Sequence, residues 1–186
     1  MNSRWWRYPL LALLTLGFVV FAAVMLAGIL AYPNLPSLES LTDYRPKIPL
    51  RVYTADGALI GEFGEERRAL VKIGAVPRQR RLAILAAEDD RFYSHGGVDY
   101  MGVARAALAN LTAGGAREGA STITMQVARN FFLSGEKTLT RKFSEALLAI
   151  KIEHYLTKDQ ILELYINQIY LGQRAYGFAA AAQTYF

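Results

Sequence analysis

"ILAAEDDRFYSHGG", Ile84 to Gly97, passes from an apolar run into three consecutive acids, an arginine, two aromatics, a histidine and a glycine pair. Apolar residues recur at helical spacing from about Pro77, so the stretch predicts a helix reaching about Tyr93 and stopped by Gly96-Gly97. On that helix Glu88 has Ile84 and Leu85 one turn before it, Phe92 one turn after it and His95 two turns on. Apolar neighbours strip water from a carboxylate and disfavour its charged form, and Asp89 and Asp90 act in the same direction. A raised carboxylate pKa suits a general base or acid near neutral pH. Taken alone, the same residues read as a surface acid near a helix end.

Two later stretches hold complementary groups. "EGASTITMQVARN", residues 118–130, offers the hydroxyls of Ser121, Thr122 and Thr124, the amide of Gln126 and the cation of Arg129. A hydroxyl-rich turn feeding a helix can bind oxyanions or sugar hydroxyls, though Ser and Thr also cap helices routinely. "TRKFSEALLAIKIE", residues 140–153, places Arg141 and Lys142 four and three positions before Glu145, so all three share one helical face. Two adjacent cations favour an ionised Glu145, which makes it an orienter of the basic pair, a carboxylate beside a metal or, more simply, part of a solvated ion pair.

Upstream, no residue from Leu10 to Ala31 is charged or strongly polar. A helix of that length spans a bilayer core of about 30 Å, whereas a cleaved signal has an apolar region of only about 7–15 residues. Trp5, Trp6 and Tyr8 on one side and Tyr32 on the other suit the two interfaces, and Arg4 and Arg7 favour a cytoplasmic N-terminus. The remainder then lies outside the cytoplasm, where nucleic acid is not an expected partner. The formal net charge of +5 points instead to lipid headgroups and phosphorylated lipids. With no cysteine among the 186 residues, disulfides and thiolate metal sites are excluded. A composition 53% hydrophobic and 20% charged argues for a packed core.

Four of the six prolines fall within residues 33–50, read as an extended linker. "RVYTADGALIGEFGEERR" then sets two apolar runs around Asp56-Gly57, a hairpin signal. Further helices are predicted over Tyr100 to Ala113, from about Thr138 to Leu156, and from a capping-box spacing at Thr157–Gln160 to Gly172, the last apolar nearly all round. Ser134-Gly135-Glu136-Lys137 fits S-x-x-K but lacks the K-T-G and S-D-N that accompany it in acyl-enzyme sites. His95 and His154 form no metal-ligand spacing.

In order and spacing, "EDDRFYSHGG", "GASTITMQ", "RKFSE" and "KDQILELYINQIYLGQRAYG" together resemble the peptidoglycan glycosyltransferase family. This is the lysozyme-like domain of class A penicillin-binding proteins and of their monofunctional relatives. The segment around the predicted hairpin looks more like the 1A branch. The resemblance implies a mainly α, lysozyme-like helical domain, with a small β-hairpin near the membrane and an N-terminal transmembrane helix. It implies polymerisation of lipid II into β-1,4 glycan with inversion and loss of undecaprenyl diphosphate. Glu88 falls on the general base, and Glu145 on the second glutamate at the diphosphate side. Asp89, Phe92 and His95 fall on the first substrate-binding motif, Ser121, Thr122, Gln126, Arg129 and Asn130 on the second, and Arg141 and Lys142 on the third.

Two departures stand out. Met125 replaces the first of two glutamines usual in the second motif, and Arg129 stands where lysine is frequent. The expected organisation is a cytoplasmic stretch (1–9), an anchor (10–32), a linker (33–50), a hairpin segment (51–76) and a C-terminally incomplete glycosyltransferase domain (77–186). The chain reads as the front part of a bifunctional protein whose transpeptidase domain is absent, single-pass in the bacterial inner membrane. Lipid II, lipid-linked glycan, the membrane and cell-wall synthesis proteins are the expected partners. No cofactor is required, though the diphosphate admits a divalent cation such as Mg or Mn bridged by Glu145. The competing readings are a lysozyme-like hydrolase or lytic transglycosylase and an inactive membrane-anchored scaffold.

Overall fold

The computed structural model describes residues 7–44, 46–47, 49–115, 119–133 and 138–186. Arg4, Trp5, Trp6 and the S-x-x-K tetrad at 134–137 lie outside the described residues. The chain divides into two compact units, residues 1–36 and 37–186.

The first unit is the helix α1, Arg7–Ala31, closed by a 3-10 turn over Tyr32–Asn34 that contains Pro33. Its 25 residues measure about 37 Å, enough to cross a hydrocarbon core of about 30 Å. None of them is buried by protein, so this apolar helix fits a membrane anchor.

The second unit is mainly α. A single helical turn, α2 (Glu39–Thr42), precedes an antiparallel hairpin of β1 (Leu50–Tyr53) and β2 (Leu59–Phe63). The Asp56-Gly57 turn is where the sequence puts it, closed by the Thr54 N–H on the Ala58 carbonyl at 2.8 Å. Next come β3 (Arg67–Arg68), α3 (Arg78–Glu88), α4 (Tyr100–Ala113), α5 (Ile123–Phe132), α6 (Leu139–Tyr155) and α7 (Lys158–Gln168). The unit ends with β4 (Ala175–Tyr176) and α8 (Phe178–Tyr185), and β4 pairs in parallel with β3.

Helices α5, α6 and α7 form the core. Ile123, Val127 and Ala128 of α5, Leu148, Ala149 and Ile152 of α6, and Ile161 and Leu162 of α7 are fully buried. Alanines at 128 and 149 let helix backbones approach closely. Each of the three helices starts on a threonine whose hydroxyl accepts a backbone N–H: Thr122 from Met125, Thr138 from Arg141 and Thr157 from Gln160. At Thr157 the Gln160 side chain completes the capping box.

The sequence expectations need three corrections. Helix α3 stops at Glu88 rather than near Tyr93, because Asp89 leaves the helix to bond elsewhere in the core. Helix α7 stops at Gln168, where the chain turns back to bring Gly177 N–H onto the Ile169 carbonyl at 2.8 Å. The segment read as an extended linker is partly docked: Leu41 is buried, and the Tyr44 hydroxyl donates to Gln168.

Gly97 fixes a close approach between two backbone segments. Its φ is +93°, and a Cβ there would stand 2.8 Å from the Ala149 backbone. Gly97→Ala is expected to destabilise the protein by about 2 kcal/mol or more in urea unfolding. Gly96→Ala, with nothing within 4 Å of its Cβ, should stay within about 0.5 kcal/mol of wild type.

Candidate active site

The turn after α3 is built around Asp89, which is buried. Its Oδ2 accepts the Ile123 N–H at 3.0 Å, and His95 Nε2 lies 3.0 and 3.1 Å from the two carboxylate oxygens. The carboxylate thus takes an amide left without an intrahelical partner at the start of α5, where a helix favours negative charge. Thr122, the N-cap of α5, accepts the Met125 N–H and donates its hydroxyl to the Gly97 carbonyl at 2.6 Å. These bonds tie the first motif to the second. Phe92 is 1% exposed and lies 4.4 Å below the Lys158 ammonium. Lys158 also donates to Glu153 at 2.7 Å, and Glu153 accepts the Thr124 hydroxyl at 2.6 Å.

Glu145 is wholly buried, not part of a solvated ion pair. Its Oε2 accepts from Lys142 Nζ at 2.9 Å, and its Oε1 faces Arg141 Nε at 3.3 Å. Lys142 Nζ also donates to Ser121 Oγ at 2.5 Å. A buried carboxylate needs such partners, and it fixes the two cations in return. Lys142 retains 42% side-chain exposure, so its charge remains accessible from outside.

Glu88 departs from its expectation. Ile84, Leu85 and Phe92 are buried as predicted, but Glu88 itself is exposed. The protein alone therefore does not surround this carboxylate with apolar groups. Because α3 ends at Glu88, the helical register toward Phe92 and His95 is lost as well. Gln126 Nε2 holds the carboxylate instead, at 2.8 Å. Tyr165 is 1% exposed, and burial together with Glu88 pushes its pKa well above the usual phenol range, with Arg129 opposing.

A cavity of about 240 Å³ adjoins these groups, lined among others by Glu88, Asp90, Asp99, Arg105, Ser121 and Thr122. Its charged lining is acidic apart from Arg105, and Arg91 beside Asp99 holds that carboxyl below its usual range. Ser121 joins this acidic side to the cations at Glu145. A larger cavity of about 530 Å³, between α2, residues 70–72 and α7, contains none of the expected site residues. The expected carboxylates and hydroxyls meet at the smaller cavity, and Lys142 reaches its edge through Ser121.

Of the expected residues, Glu88, Asp89, Phe92, His95, Ser121, Thr122, Gln126, Arg141, Lys142 and Glu145 fall into this connected arrangement. Arg129 is half-buried and acts on Tyr165, whereas Asn130 is exposed on the last turn of α5. Met125 packs against Val98 and Ala149, so at this position the side chain fills the core and does not reach the cavity. Tyr165 escaped the sequence reading because a tyrosine on an apolar helix reads as core.

The sequence profile described as transglycosylase matches residues 56–186. Penicillin-binding protein 1A of Neisseria cinerea is 63% identical over 93% of this chain and 22% of its own length, and that of Neisseria lactamica is 64% identical over the same shares. Penicillin-binding protein 1A of Escherichia coli K12 is 53% identical over 90% of this chain and 20% of its own length. The chain thus spans about a fifth of the length of these relatives.

The double role of the Thr122 hydroxyl makes it a sensitive position. Thr122→Val, which keeps the shape but loses the cap and the bond to Gly97, is expected to cost about 1–3 kcal/mol in urea unfolding. Thr122→Ser should recover most of that loss.

Proposed function

From a chain that belongs to the transglycosylase family, we infer a peptidoglycan glycosyltransferase that polymerises lipid II. The observation that carries this reading is the pairing of an exposed carboxylate with a separate group of cations. Glu88 stands at an acidic cavity, while Lys142 and Arg141 are fixed on the buried Glu145 and linked to that cavity through Ser121.

In the proposed reaction Glu88 takes the proton from the C4 hydroxyl of the acceptor sugar. The oxygen attacks C1 of the donor with inversion, and undecaprenyl diphosphate leaves with the bonding electrons. A diphosphate needs no proton to depart, so cations suffice to stabilise it, and Lys142, Arg141 and Arg129 are the groups available. Exposure of Glu88 suits this role, since the carboxylate must reach a hydroxyl on a bulky substrate. Sugars covering the cavity would exclude water and strengthen its hold on the hydroxyl proton. Asp89, His95 and Thr122 keep the turn and the start of α5 in register so that Gln126 meets Glu88.

A divalent cation bridged by Glu145 does not fit the residues present, because the two oxygens of that carboxylate face Lys142 and Arg141. No step is routed through metal, and turnover is expected to persist in chelator.

On this reading α1 anchors the chain in the bacterial inner membrane, with the catalytic unit outside the cytoplasm. Lipid-linked glycan and other cell-wall synthesis proteins are its partners, and the whole protein carries a transpeptidase domain as well. The test is polymerisation of labelled lipid II by the full-length protein beside Glu88→Gln. Loss of about 10²–10⁴-fold in rate is the expected outcome. Activity surviving in Glu88→Gln would remove the base assignment. Fragments released from finished sacculi, with none made from lipid II, would favour a hydrolase or lytic transglycosylase.

A further inference from the structure

A third cavity, of about 280 Å³, lies where the start of α3 and the segment before it meet α7 and α8. It shares no lining residue with the cavity at Glu88. Ile84, Ile166 and Phe178 form part of its wall, while Pro77, Arg80 and Ala83 line it and are exposed, which opens it to the surface. Arg80 is the one polar residue of the lining. Protein interiors leave few voids of this size, and an apolar one suits hydrocarbon better than water. The volume falls just short of the range that holds a whole drug-sized ligand, so it fits one chain of a lipid.

Arg80, Ala83 and Ile84 stand at i, i+3 and i+4, which sets the guanidinium and the apolar wall side by side on one face of α3. The cation does not serve the helix that carries it. It lies in the first turn between Arg78 and Arg81, with no acid there, and cations oppose the positive end of a helix. Among the described residues no ion pair engages Arg80. An apolar cavity with an unpaired cation at its mouth is complementary to a hydrocarbon chain that carries an anion at one end.

We propose that this cavity takes one acyl chain of an anionic phospholipid, whose phosphate pairs with Arg80. The reading of α1 as a membrane anchor enters only as the source of the ligand, since a chain held in a bilayer shares its compartment with such lipids. A neutral lipid and another part of the full-length chain are the rival occupants.

The experiment places the full-length protein in phosphatidylcholine nanodiscs that contain a trace of phosphatidylglycerol with a photoreactive group at the end of one acyl chain. Cross-linked peptides are mapped by mass spectrometry, beside the same probe on a phosphatidylcholine headgroup. The phosphatidylglycerol probe is expected to label the peptides that hold Ile84 and Phe178. Arg80→Gln should lower that label about fivefold, the attraction of one arginine for an anionic lipid surface. Arg80→Lys should keep most of it, and Ala83→Phe, which narrows the mouth and leaves the charge in place, should lower it. Label on α1 with none at the cavity would overturn the proposal and leave the anchor standing. Equal label from the two headgroups, or label untouched by Arg80→Gln, would overturn it as well. No label on α1 would remove the anchor reading instead. Native mass spectra of the detergent-solubilised protein with added phosphatidylglycerol then decide the cavity. Lipid retained by wild type and lost in Arg80→Gln and Ala83→Phe supports it, and equal retention by all three sinks it.

Discussion

A buried carboxylate is costly without hydrogen-bond donors, and the arrangement around Asp89 follows from meeting that demand. Its oxygens take a backbone N–H from the first residue of α5 and face His95 from the same turn. The two ends of the loop that contains α4 are thereby brought together. Thr122 adds a bond to Gly97, and Gly97 in turn presses on the backbone of α6. One side chain thus sets where α3 ends and where α5 begins, and both limits determine that Glu88 and Gln126 meet.

Charge is divided with similar economy. Acids gather at the cavity beside Glu88, and cations gather around Glu145, with the Ser121 hydroxyl between them. The burial of Glu145 is what makes the second group specific. On a solvated surface a lysine and an arginine would wander, and their attraction to a carboxylate would contribute little. In the interior the carboxylate has no alternative partners, so the cations hold one geometry.

Much of the helical framework was legible because its signals are local. Thr157 with Gln160, Thr138 and Thr122 mark helix starts through bonds made within a single turn. The hairpin at Asp56-Gly57 is local for the same reason. What escaped depends on distant partners. Asp89 ends α3 because of a bond to Ile123, which periodicity in residues 77–93 could not reveal. Glu145 is buried because α6 packs on α5, although its neighbours in sequence suggest a surface pair. The two-residue pairing of β3 with β4 is too short to leave a pattern. The expected site residues came mostly from resemblance, and the structure brings most of them into contact. It moves Glu88 from an apolar setting to an exposed one.

The docking of the early segment carries a consequence for synthesis. Tyr44 bonds to Gln168, 124 positions later, and Arg68 bonds to Gln168, 100 positions later, while stacking on Tyr176. At about 5–20 residues per second, a ribosome needs about 6–25 seconds to cover the longer interval. Throughout that time Tyr44 has been made but Gln168 has not, and Arg68 waits for Gln168 over the last 100 residues. The helical core can condense from α5 to α7 as they appear, because those contacts are between neighbours in the chain. Attachment of residues 41–68 then follows that of the helical core, and is made only when Gln168 and Tyr176 arrive to receive it.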